Sequence, residues 1–192
     1  MKTIANLKMN FNHKTVLGIL AMGLLTISCS NDDDDNPDVI NEEEVITTMN
    51  VTLTAATGNI TLQSQDLDGD GPNAPVIDIS GNLAANTTYA GSIELLNETE
   101  APAEDITEEV AEENDEHQFF FSADGAITGT DYADQDGDGN PVGILFTLTT
   151  GDAGNGTLQI TLRHEPKKPN DGSLSDAGGE TDIAQTFNVV VE

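Results

Sequence analysis

Val45-Ile46-Thr47-Thr48-Met49-Asn50-Val51-Thr52-Leu53-Thr54 is the stretch that decides the fold class. Val45, Met49, Val51 and Leu53 share one parity, and Thr48, Asn50, Thr52 and Thr54 share the other. A strand turns successive side chains to opposite faces, so this alternation, rich in β-branched Thr, predicts a half-buried strand. Thr57-Gly58-Asn59 reads as a turn into a second strand, Ile60 to Gln65. The same reading places strands at 75–79, 89–96, 118–122, 143–150, 157–163 and 183–191. Turns rich in Gly, Asn and Asp separate most of them, as in Gly151-Asp152-Ala153-Gly154-Asn155-Gly156. Seven to eight short strands at close spacing predict a mainly β domain over residues 44–192. Its expected form is an antiparallel, immunoglobulin-like β-sandwich.

One segment breaks the alternation. Residues 98–116 hold ten acids, with Glu104, Glu108, Glu112 and Glu116 four apart and Ile106 and Val110 forming an apolar stripe. Pro102 suits a first helical turn. The spacing predicts an acidic helical insertion over roughly 102–114, although like charges four apart repel and acids in the last turn oppose the helix dipole. A solvated, frayed linker is the competing reading.

Before the β region lies a different kind of sequence. Lys2, Lys8 and Lys14 precede an apolar run from Val16 to Ile27, which Ser28 and Cys29 follow. A charged start, a short apolar run and a small residue form the pattern of a secretory signal over residues 1–28. The run is shorter than the ~20 residues a spanning helix needs. Cys29 is the only Cys in 192 residues, so it has no internal disulfide partner. Leu25-Thr26-Ile27-Ser28-Cys29 resembles a bacterial lipobox, with its Leu one position early. The resemblance implies acylation of Cys29, each buried lipid CH₂ contributing about 0.8 kcal/mol of membrane affinity. Ordinary secretion is the alternative. Residues 29–43, including Asp32-Asp33-Asp34-Asp35, then form an acidic tether. The acid run also resembles the export tag that follows the lipidated Cys of surface lipoproteins in some Gram-negative bacteria.

The charge excludes some functions. Formal net charge is −29; once residues 1–28 are removed, three basic residues remain against 35 acids, a net of −32. Such a field repels nucleic acid and anionic lipid headgroups and attracts cations. Neither a G-x-S-x-G elbow nor a phosphate-binding Gly loop is present. With no nucleophile beside a placed base, the pattern predicts no enzyme. Lys167 and Lys168 read as a small solvated basic spot in a Pro-flanked loop.

Two sets of residues fit metal chemistry. Asp66-Leu67-Asp68-Gly69-Asp70-Gly71 and Asp134-Gln135-Asp136-Gly137-Asp138-Gly139 repeat one hexapeptide. Carboxylates at alternate positions, with Gly for a sharp turn, suit Ca²⁺ at Asp66, Asp68 and Asp70, and at Asp134, Asp136 and Asp138. Position 12 is Ile77 or Leu145 rather than Glu, so neither loop is an EF-hand. Asp-Gly is also simply good turn chemistry. His117 shares parity with Phe119 and Phe121, and His164 with Leu158, Ile160 and Leu162, each at a strand end. If those strands are antiparallel neighbours, the imidazoles meet at one end of the sandwich, beside Asp115, Glu116 and Glu165. Two imidazoles and a carboxylate would suit Zn²⁺. Two separate rim histidines are the plainer reading, and a bis-histidine haem a weaker one.

Cys29 with its acid run, Asn41-Glu42-Glu43-Glu44-Val45-Ile46-Thr47-Thr48, Glu116-His117-Gln118-Phe119-Phe120-Phe121 and Leu162-Arg163-His164-Glu165-Pro166 together resemble a group of small surface lipoproteins labelled "type 1 periplasmic binding fold". That label implies two α/β lobes, whereas the residue pattern predicts one all-β domain. The resemblance implies an outer-membrane location at the cell surface and partnership with a TonB-dependent receptor in nutrient or metal uptake. The expected function is a non-enzymatic, lipid-anchored module that binds divalent cations. The alternative is a structural or adhesive envelope module with Ca²⁺-stiffened loops.

Overall fold

The computed structural model describes residues 45–69 and 71–192. The signal segment, Cys29, the tether and Asp70 lie outside the described residues. The elements run in the order β1 (Thr48–Ala55), β2 (Gly58–Gln65), β3 (Val76–Ile79), β4 (Thr88–Asn97), β5 (Glu104–Asp105), α1 (Ile106–Glu112), β6 (His117–Gly125), β7 (Ile127–Tyr132), β8 (Leu145–Thr150), β9 (Gly154–His164), α2 (Leu174–Ala177) and β10 (Glu180–Val191). One sheet has the order β3-β2-β1-β4-β8-β7, with β5 paired beside the end of β4. The other has the order β10-β9-β6. Every strand pair is antiparallel.

This is the mainly β sandwich that the alternation predicts, divided seven strands to three. The alternating positions of β1 are the buried ones, Met49, Val51 and Leu53. They share the core with Leu62, Tyr89, Ile93, Leu95, Phe146 and Leu148 of the large sheet. Phe119, Leu158, Ile160, Leu162, Phe187 and Val189 come from the small one. Val45, read as part of the first strand, lies before it and is exposed. Two strands were hidden in the sequence. β5 has two residues, too few to show a period. β7 buries only Ile127, so its alternation is faint.

The acidic segment does hold a helix, shorter than expected. Glu104 and Asp105 pair with β4 instead of joining the helix, which therefore starts at Ile106. The Asp105 carboxylate caps it, accepting from the Thr107 amide at 3.0 Å. Ile106 and Val110 are the buried stripe. Thr107 Oγ1 accepts from the Leu95 amide at 2.8 Å, fastening the first turn to β4. No described helix is long and apolar enough to cross a membrane.

A candidate metal centre at the ends of β6 and β9

β6 and β9 are antiparallel neighbours, and their register pairs His117 directly with His164. The condition set by the sequence for bringing the two histidines together is therefore met. Their rings stack with centroids 4.7 Å apart and planes 22° from parallel. Just beyond this pair, the Glu165 amide donates to the Glu116 carbonyl at 2.7 Å and extends the ladder. Both glutamates are thus held beside the imidazoles by the same backbone pairing.

The two histidines occupy different environments. His117 is fully buried, and its Nδ1 lies 3.2 Å from the Glu113 carbonyl. A carbonyl only accepts, so this contact favours the Nδ1–H tautomer and leaves Nε2 with the lone pair. Nε2 lies 4.0 Å from the Asp182 carboxylate. Burial pushes the His117 pKa below its ordinary value, against the pull of the Glu113 carbonyl, and the neighbouring His164 and Lys168 add to the lowering. Asp182 sits where the register of β10 shifts between Thr181 and Ile183. A bulge re-aims the side chain it carries, which here brings a carboxylate to the buried ring.

His164 is nearer the surface, with a side chain 12 % exposed, and its Nε2 is 4.0 Å from Glu116 Oε2. One ligand atom each from Glu116, His164 and Glu165 lies within 4.8 Å of the others. Bonds of about 2.0–2.2 Å around tetrahedral zinc place neighbouring ligand atoms roughly 3.3 Å apart, so the trio must close by up to about 1.5 Å. Both glutamates are exposed and can move that far. Three protein ligands would leave a fourth position for water or another group, unlike the closed four-ligand set of a structural zinc site. The His117 ring stacks against the His164 ring from the buried side.

Two supporting residues, Gly179 and Asp182, escaped the sequence reading, whereas Glu165 did not. Glu165 adopts a positive φ of 47°, rare for a residue with a side chain. Gly179, at φ +70°, passes so close to the same turn that a Cβ there would lie 2.3 Å from the His164 carbonyl. The Gly178-Gly179 pair was visible in the sequence, but its closeness to His164 was not. Asp182 gave no signal, because only the bulge brings it near His117.

The Asp loops do not join this centre. In the second, Asp134 accepts from the Gly143 and Leu145 amides at 2.6 and 2.8 Å. Asp136 is buried and accepts from the Asp138 and Asn140 amides at 3.0 and 2.8 Å. Its other oxygen lies 3.3 Å from Lys168 Nζ. Asp138 stands exposed at the rim. Burial alone would raise the Asp136 pKa, but the Asn140 and Lys168 hydrogen bonds outweigh it and hold the carboxyl below the ordinary 3.8. In the first loop Asp66 Oδ1 accepts from the Asp68 amide at 3.3 Å, and Asp68 from Asn73 Nδ2 at 2.6 Å.

Lys168 corrects the reading of a solvated basic spot. Lys167 is exposed and pairs with Asp176 at 2.7 Å. Lys168 instead buries its ammonium against Asp136 and the Asn114 carbonyl, because the loop after β9 folds back toward the second Asp loop. The second hexapeptide thus has a cation from the chain itself. No family model, curated protein or solved structure matches this chain.

Proposed function

We propose that this chain is a non-enzymatic module of the cell envelope, lipid-anchored through Cys29 at the outer-membrane surface, that binds a divalent transition cation. The observation that carries the reading is the meeting of His164 with Glu116 and Glu165 beside the stacked ring of His117. One imidazole and two carboxylates form a mixed nitrogen and oxygen set suited to Zn²⁺ and its neighbours. The open fourth position and shallow burial favour exchange, which fits capture and handover better than permanent stiffening. The strongly negative chain raises the local concentration of cations around the site. A TonB-dependent receptor as recipient is the proposal that the lipoprotein resemblance adds.

The second reading is a structural or adhesive module in which Ca²⁺ stiffens the Asp loops. Internal locking of the second loop by Lys168 and Asn140 favours a stiffening role for that loop. Thermal melting of the chelator-treated full chain separates the two readings. Zn²⁺ should raise Tm in the native sequence, with about 2.7 kcal/mol gained at 100 times Kd. The rise should vanish in His164→Ala and in Glu116→Gln/Glu165→Gln. A Ca²⁺ rise that survives those substitutions, with none from Zn²⁺, would transfer the cation to the Asp loops and sink the capture reading.

A further inference from the structure

β3 ends the large sheet, and among the described residues no strand lies beyond it. Other edges are covered in part: Leu83 and Ala85 hydrogen-bond to the end of β10, and the Val142 carbonyl accepts from Phe119 in β6. β3 also overhangs the small sheet. The pairs Ser64↔Ile77 and Leu62↔Ile79 turn Ile77 toward the side on which Leu62 and Ser64 are buried. Ser64 donates to Gln185 of β10 at 2.8 Å, so the small sheet reaches β2. Ile77 is nevertheless 40 % exposed, and Val76, Leu67 and Val45 around it are 67, 56 and 55 % exposed. A cleft of about 500 Å³ opens beside this edge, lined by Val45, Ile46, Pro75 and Ile183 together with Asp66 and Asp182.

Natural proteins blunt free edges with very short strands, charged side chains, Pro or bulges, because unpaired amides and carbonyls there accept another strand. β3 is short and follows Pro75, but it has no Lys or bulge, and its one charge, Asp78, repels an acidic strand while admitting a basic one. We propose that the β3 edge is a docking surface for a partner protein that adds an extended strand in which apolar residues alternate with Lys or Arg. Main-chain pairing would supply register, and alternate side chains of the added strand would meet Ile77 and Ile79 on one face and Val76 and the Asp78 carboxylate on the other. Charge selects this partner. Asp66, Asp68 and Asp78 surround the edge, while Arg163, Lys167 and Lys168, the basic residues of the described region, lie on β9 and the loop after it. A second copy of this chain would bring another −29 against the same patch.

The test uses the full chain in detergent and a fluorescent peptide alternating lysine with valine. The peptide should bind, lose affinity as salt rises, and slow amide hydrogen exchange at 76–79. Val76→Ser/Ile77→Ser and Asp78→Lys should each weaken it by about tenfold or more, a full decade in Kd. The same peptide with glutamate for lysine should not bind. The proposal is overturned by equal binding to the glutamate peptide, by binding that leaves exchange at 76–79 unchanged, or by no binding at all. A dimer in sedimentation that Val76→Ser/Ile77→Ser dissolves would overturn the choice of partner and make the edge a self-association surface.

Discussion

Lys168 shows how much a single residue can redirect a reading. A Lys in a Pro-flanked loop of a highly acidic chain looks solvated, since only charge and neighbours in sequence are visible. Its ammonium is instead buried, and burial lowers its pKa despite the pull of Asp136. Removing one member of a buried pair strands the other, which typically costs about 3–5 kcal/mol. Lys168→Met should fall near the lower end, about 3 kcal/mol by urea denaturation, because Asn140 and two amides still solvate Asp136. Lys168→Met/Asp136→Asn should recover part of that loss. The sign of the pH effect follows from the depressed Asp136 carboxyl. Its stabilisation is present above the ordinary value of 3.8 and is lost as pH falls through the lower folded value. Lys168→Met should therefore begin acid unfolding at a higher pH than the native sequence. The candidate centre teaches the same lesson. The parity of His117 and His164 was legible, but the roles were not, because ring stacking and the bulge at Asp182 depend on side chains from three strands.

At the scale of elements, α1 carries an internal conflict. Its apolar stripe, Asp105 cap and first-turn acids favour the helix, yet it ends on Glu112 with no basic residue in its last turn. Burial, with repulsion from Glu113, Glu104 and Glu112, raises the pKa of Glu109. A carboxyl raised in the folded state weakens folding at neutral pH, and the penalty fades as pH falls toward its unfolded value. Glu109→Gln should therefore stabilise the domain by a few tenths of a kcal/mol at pH 7, about 0.2–0.5 for each relieved contact. The gain should shrink near pH 4, and melting curves at both pH values would check it. An effect of equal size at both would mean that charge is not the cause. The sequence placed this helix because period-four spacing of Ile106 and Val110 is a local signal. It missed the late start of the helix at Ile106, because pairing of Glu104 and Asp105 with β4 is a tertiary event.

Across the whole molecule, the net charge of −29 works against compactness. Raising salt from 0.01 to 0.15 M shortens the screening length from about 30 to about 8 Å, which quiets repulsion between distant surface acids. Monovalent salt should thus raise Tm in both the native sequence and the His164→Ala variant, whereas Zn²⁺ should act on the native sequence alone. A monovalent-salt effect confined to the native sequence would mean that the site, and not the overall field, responds. The sequence by itself determined the class of fold, because alternation in β1, β4 and β9 is a property of neighbouring residues that any sheet must obey. It also determined the sign of the electrostatic field, which composition alone sets. Tertiary structure alone decided the division into seven and three strands, the seating of Lys168 on Asp136, the approach of Gly179 to His164 and the edge at β3 that no other described strand covers. Each of these joins residues far apart in the chain, and long-range proximity is fixed by packing rather than by local pattern.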